Sequence, residues 1–118
     1  MEKTIKIDGK DVKFKATAAT PRLYRLKFKR DLIKDLAELS KVVGKKNFNI
    51  PDLELFENVS YIMAKQADSQ VPDDINEWLD DFSTFAMSEI LPEIMELWRT
   101  NMQTDIQSKK NKAAVVGN

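Results

Sequence analysis

The 118-residue chain has no cysteine, no histidine, only 3 glycines and 4 prolines, and no long apolar run. Each absence removes a class of function. Without cysteine there is no disulfide framework, and a cytosolic setting fits. Without histidine or cysteine a zinc site loses its two main ligands, and Ser–His, Cys–His and histidine-based acid–base mechanisms are unavailable. Carboxylates, Lys, Arg, Tyr and hydroxyls remain, which moves the balance from an enzyme towards binding or assembly. No stretch approaches the roughly 18–20 apolar residues of a membrane span. The charged, alternating segment Met1–Lys15 does not read as a secretory signal.

What is present is ordinary in total and unusual in distribution. At 42% hydrophobic and 32% charged residues the chain reads as one soluble globular domain, long enough to bury a core without metals or disulfides. Its 19 basic and 19 acidic residues cancel, but they are sorted. Residues 1–46 hold 14 Lys/Arg against 6 Asp/Glu, whereas residues 47–105 hold 2 against 13. Such asymmetry points to a nucleic-acid-binding half, to pairing of the halves within one fold, or to association between copies.

The element pattern predicts a mainly α (α+β) fold: a β-hairpin over 3–16, helices over about 21–43, 51–67, 73–81 and 84–103, and a flexible tail over 105–118. Together 1–104 form a single globular domain. The hairpin follows from alternation of Ile5 and Ile7, then Val12, Phe14 and Ala16, around the turn dipeptide Asp8-Gly9. Thr20-Pro21 reads as N-cap and first helical position. From there Tyr24, Phe28, Leu32, Leu36, Leu39 and Val43 recur every three or four residues, with Leu26, Ile33 and Val42 widening the stripe. Gly44 then suits the helix end. Pro51-Asp52 opens the next helix, with Leu55, Phe56, Val59, Ile62, Met63 and Ala67 as its apolar side. Asp74 and Glu77 have capping-box spacing ahead of Ile75, Trp78, Leu79 and Phe82. The last helix, starting at Ser83-Thr84, has so broad an apolar surface that it is expected to be central, with Pro92 kinking it near Ser88.

No residue set forms a convincing reaction centre. Glu89, Glu93 and Glu96 share a helical face, but four-helix di-metal sites pair such glutamates with histidines that this chain lacks. Asp73/Asp74 and Asp80/Asp81 lack the alternate spacing and central glycine of a calcium loop. Helix caps and solvated acidic faces explain them better, so no metal and no cofactor is expected. The lysine face of the hairpin and the Arg22/Arg25/Lys29 strip could neutralise phosphates. Phe14, Tyr24 and Phe28, however, fall on buried faces, and no nucleic-acid-binding signature is present. Met63, Met87, Met95 and Met102, with Trp78 and Trp98, are core residues taken singly; as a set they could line an adaptable groove for a partner helix.

Taken in order, the segments TIKIDGKDVKFKAT, TPRLYRLKFKRDLIKDL, LELFENVSYIMAKQAD, INEWLDDF and LPEIMELWRTNMQT resemble the tail assembly chaperones of long-tailed (siphovirus-type) phages and prophages of Gram-positive bacteria. The resemblance spans roughly residues 3–104 and rests on the succession of segments rather than on a catalytic motif. It implies a small, mainly helical, non-catalytic protein of the host bacterial cytoplasm, absent from the mature virion. Such a protein covers the apolar tape-measure protein and is displaced as tail-tube subunits polymerise around it. The family also implies a longer form made by programmed −1 frameshifting. Lys109-Lys110-Asn111 is a tripeptide that a slippery heptamer can encode.

The expected function is therefore chaperoning of tail assembly, with the tape-measure protein, the tail-tube protein and the frameshifted long form as partners. Neither nucleic acid nor membrane is an expected partner. Met87, Leu91, Met95, Trp98 and Met102 are the expected client-contact residues. Arg22, Arg25 and Lys29 against Glu89, Glu93 and Glu96 are the expected charge contacts in a weak, salt-sensitive self-association, with pairing inside one chain as their alternative. The competing function is a nucleic-acid-binding accessory or regulatory protein using the basic half.

Overall fold

In the computed structural model, which describes residues 1–43 and 49–99, Asp8 and Gly9 both take positive φ, 52° and 78°. That is the tight-turn geometry whose twist matches the flanking strands. The strands are β1 (Glu2–Ile7) and β2 (Lys10–Lys15), antiparallel, with Ile5 opposite Val12 and Lys3 opposite Phe14. This register sends Ile5, Ile7 and Phe14 into the core and leaves Lys6 and Lys13 in water. Six helices follow: α1 (Thr20–Phe28), α2 (Leu32–Ser40), α3 (Ile50–Ala67), α4 (Ile75–Leu79), α5 (Ala86–Glu89) and α6 (91–99). The mainly α, hairpin-led architecture agrees with the sequence pattern. The predicted tail over 105–118, with Lys109-Lys110-Asn111, lies outside the described residues, as do Gly44 and Met102.

The central element is α3, not the last helix. Val59, Ser60, Tyr61, Ile62, Met63 and Ala64 are consecutive and all buried, so this helix is enclosed on every side at its middle. It packs against β2, α1, α2, α4 and α5. Small side chains at Ser60 and Ala64 let those neighbours approach closely. Asn49 caps its start by accepting from the Asp52 amide at 2.8 Å. From its middle a run of rings spreads sideways. Tyr24 meets Phe28 at 5.2 Å, Phe28 meets Tyr61 at 6.4 Å, Tyr61 meets Trp78 at 5.7 Å and Trp78 meets Phe82 at 5.3 Å. The last three contacts are edge-on, a geometry that ring quadrupoles favour.

The helix expected over 21–43 is two helices. Lys29 ends α1 in the left-handed region, at φ 58° and ψ 38°, and Asp31 caps α2 by accepting from the amides of Ile33 and Lys34. A straight rod of that length would measure about 35 Å, against about 27 Å for the 18 residues of α3. Breaking it lets both halves pack on α3. Tyr24, Leu32, Leu36 and Leu39 remain buried across the break, so the apolar stripe persists while the backbone does not. Leu26 and Ile33, expected to widen that stripe, are instead 62% and 51% exposed, and Val43, expected within it, is 37% exposed; Val42, the other widening residue, is half-buried.

Two local expectations are corrected nearby. Thr20 is not the N-cap of α1; Ala19 holds that position without a side-chain bond. The fully buried Thr20 hydroxyl donates to Gln66 Oε1 at 2.6 Å, and Gln66 Nε2 donates to Thr17 Oγ1 at 2.6 Å. The amide thus ties the start of α1 to α3. The second correction concerns 84–103, where Pro92 gives a break rather than a kink: α5 stops at Glu89, Ile90 turns, and Pro92 sits in the first turn of α6. Proline is well tolerated there because its missing amide would have had no intrahelical acceptor. Before α5, Ser83 gives its amide and hydroxyl to the Asp8 carboxylate, at 2.6 and 3.1 Å, and so belongs to a loop pinned to the hairpin turn. Asp74 does cap α4, through the Asn76 amide at 2.9 Å.

Candidate functional site

An apolar groove of about 580 Å³ runs between α2 and α6. Ile33, Leu36, Ala37, Ser40 and Val43 line one wall, and Pro92, Met95, Glu96, Trp98 and Arg99 line the other. Its floor is Leu36 and Trp98, both nearly fully buried; its rim is Ile33 and Val43. The Trp98 indole N–H is directed to Met63 Sδ at 3.1 Å, so its polar edge is used inside the fold. Glu96 and Arg99 pair with each other at 2.8 Å on the rim. What the groove offers a partner is therefore shape and apolar surface, with a self-neutralised charge pair at one edge.

The expected client-contact set is divided by this geometry. Met87 and Leu91 are 2% and 3% exposed and belong to the core, because α5 and the start of α6 pack inward. They are not available to a partner. Met95 is half-buried and lines the groove with Trp98, and Met102 lies outside the described residues. Sequence reasoning missed the α2 wall. Its signal was an apolar stripe too wide for one neighbour to cover, with Ile33 and Val43 at its edges.

A second cleft, of about 1030 Å³, lies along α1 and the α1–α2 joint, lined by Arg22, Arg25, Leu26, Lys29, Arg30 and their neighbours. The structure brings the three expected cations together, all exposed, and none of them forms an ion pair among the described residues. The expected acidic counterpart is not one helical face. Glu89 ends α5, whereas Glu93 and Glu96 stand on α6 beyond the turn at Ile90. Comparison of the chain with protein-family models, curated proteins and solved structures finds no match.

Every described ion pair joins residues from the same half of the chain: Arg30–Asp35, Lys41–Glu38, Lys65–Asp73 and Arg99–Glu96. Across the halves, lysines donate to backbone carbonyls, Lys10 to Asp81 at 2.9 Å and Lys27 to Asp73 at 2.8 Å, beside the Ser83–Asp8 and Thr20–Gln66–Thr17 bonds. The sorted charge is thus left largely on the surface, where it can act between molecules.

Beneath the basic cleft lies a buried polar cluster. Asp35 accepts from the Tyr24 hydroxyl at 2.5 Å and from Arg30 Nε and Nη2 at 2.8 and 2.9 Å. Burial pushes the Asp35 carboxyl up, but the hydrogen bonds from Arg30 and Tyr24 and the nearby Arg30 and Lys34 charges outweigh it and hold the group below its usual range. Burial, then the bond to Asp35, raises the Tyr24 hydroxyl well above its usual value. The cluster ties α1 and the α1–α2 joint to α2 across their bend, beside the basic cleft that Arg30 lines. Among the described residues no three metal-ligating side chains come together. No described helix is long and apolar enough to cross a membrane.

Proposed function

We propose that this protein is a phage tail assembly chaperone that binds and covers the tape-measure protein during tail morphogenesis, without catalysis. The observation that carries the reading is the open α2–α6 groove, whose rim residues Ile33 and Val43 stay exposed in the folded chain. A helical client with apolar stripes would aggregate unless covered, and a groove with a flexible methionine in its wall adapts to varied side chains. The ordered segment resemblance supplies the identity of the client. Interaction with tail-tube subunits, a frameshifted long form, residence in the host cytoplasm and absence from the virion belong to the same proposal.

Self-association is part of it too, in a weak and salt-sensitive form. Subunits that gather along a client and are later stripped off are better served by screened charge contacts than by a large dry interface. Arg22, Arg25 and Lys29, which form no ion pair among the described residues, support this, although the acidic residues are divided between α5 and α6. Co-expression with the tape-measure protein tests the central reading. A soluble complex is expected, and its absence while the chaperone remains folded would overturn the proposal.

A further inference from the structure

We infer that the α1 cleft is a docking site for an acidic amphipathic helix of a partner protein, separate from the apolar groove. Arg22, Arg25 and Lys29 follow one another at steps of three and four residues, a ladder about 10 Å long. Carboxylates at i, i+4 and i+7 on a helix span the same length. Asp31 also lines the cleft, but its Oδ1 is engaged by the amides of Ile33 and Lys34 in capping α2, and it forms no ion pair with the ladder among the described residues. Arg30 is held by both oxygens of Asp35, so that wall of the cleft is fixed before any ligand arrives.

Apolar exposure selects a peptide over a nucleic acid. Leu26 projects among the cations at 62% exposure, and an amphipathic helix can cover it with an aliphatic side chain whereas a phosphate backbone cannot. The rings that a nucleic acid would stack on are withdrawn: Tyr24 is fully buried, and Phe28 packs between Tyr24 and Tyr61. The inference stands whether or not the groove takes a tape-measure helix, because the two surfaces share no lining residue.

The test is fluorescence anisotropy with a labelled peptide of about three helical turns carrying glutamates at i, i+4 and i+7 and a leucine between them. Saturable binding is expected, weakening about tenfold between roughly 50 and 300 mM salt. The double variant Arg22→Ala/Arg25→Ala should lose about tenfold in affinity at low salt. Leu26→Ser should lose severalfold with an unchanged salt slope. All three side chains are exposed, and an unchanged circular dichroism spectrum verifies that the variants fold. Equal binding of the glutamine-for-glutamate peptide, or wild-type binding by the double variant, would overturn the inference. Displacement of the peptide by a lower concentration of single-stranded oligonucleotide would overturn it in favour of nucleic acid. Weak self-association predicts displacement by the unlabelled protein only at concentrations above those at which the unlabelled peptide displaces; displacement by the protein at a lower concentration than the peptide would overturn the inference in favour of a contact between copies.

Discussion

Replacing Asp35 by alanine removes the acceptor of three hydrogen bonds at once, from Tyr24 and twice from Arg30. The carboxylate side chain is 4% exposed and the Arg30 side chain 50%. Arg30 can therefore turn to water, and its share of the loss is discounted for screening. The Tyr24 hydroxyl cannot, and stranding it costs about 1–3 kcal/mol. Adding the lost charge-assisted bonds gives about 3 kcal/mol for Asp35→Ala, and about 1 kcal/mol for Tyr24→Phe, which leaves the arginine fork intact. In a domain of this size that is about 15 °C and about 5 °C in Tm. Urea denaturation measures both.

The sign of the pH dependence follows from the same cluster. With its folded pKa depressed, Asp35 contributes stability that is present above its unfolded value near pH 4 and lost as pH falls further, through the folded value. Tyr24, raised by burial and then by Asp35, contributes stability that is present below about pH 10 and lost as pH rises beyond it. Asp35→Asn should flatten the acid limb and Tyr24→Phe the alkaline one. An Asp35→Ala variant within about 1 kcal/mol of wild type, with an unchanged acid limb, would refute the reasoning.

Other consequences are as specific. Lys29→Gly should stabilise the protein by about 0.5–1 kcal/mol in urea melts, because glycine takes the left-handed conformation at the end of α1 without strain. Gln66→Leu should cost about 2 kcal/mol by leaving the buried Thr20 O–H without an acceptor and removing a donor to Thr17, whereas Ser60→Ala should be neutral or stabilising, since the buried Ser60 hydroxyl has no partner among the described residues. Ile33→Asp should leave thermal stability within about 0.5 kcal/mol of wild type, as expected for an exposed side chain, while weakening any ligand of the groove.

Local chemistry made much of the fold legible. Asp8-Gly9 announces its turn because only a few residues accept positive φ, and Pro51 and Asp74 mark helix starts through their own backbones and side chains. The break at 29–31 was hidden because the apolar stripe continues across it; only Asp31, a capping residue inside a periodic run, signalled it. Pro92 pointed to an interruption, but hydrophobicity alone could not tell whether Met87, Leu91 and Trp98 face a partner or α3. Burial decides that, and burial depends on which helix is central. The α2 wall of the groove was visible only as excess: Ile33 and Val43 are more apolar surface than the fold itself uses.

The most direct test of the chaperone account is co-expression of the tape-measure protein with the wild-type chain and with Ile33→Asp/Met95→Asp. A soluble complex is expected with the wild type, and an aggregated client beside a folded variant. No complex with folded wild type, or equal protection by the groove variant, would contradict it.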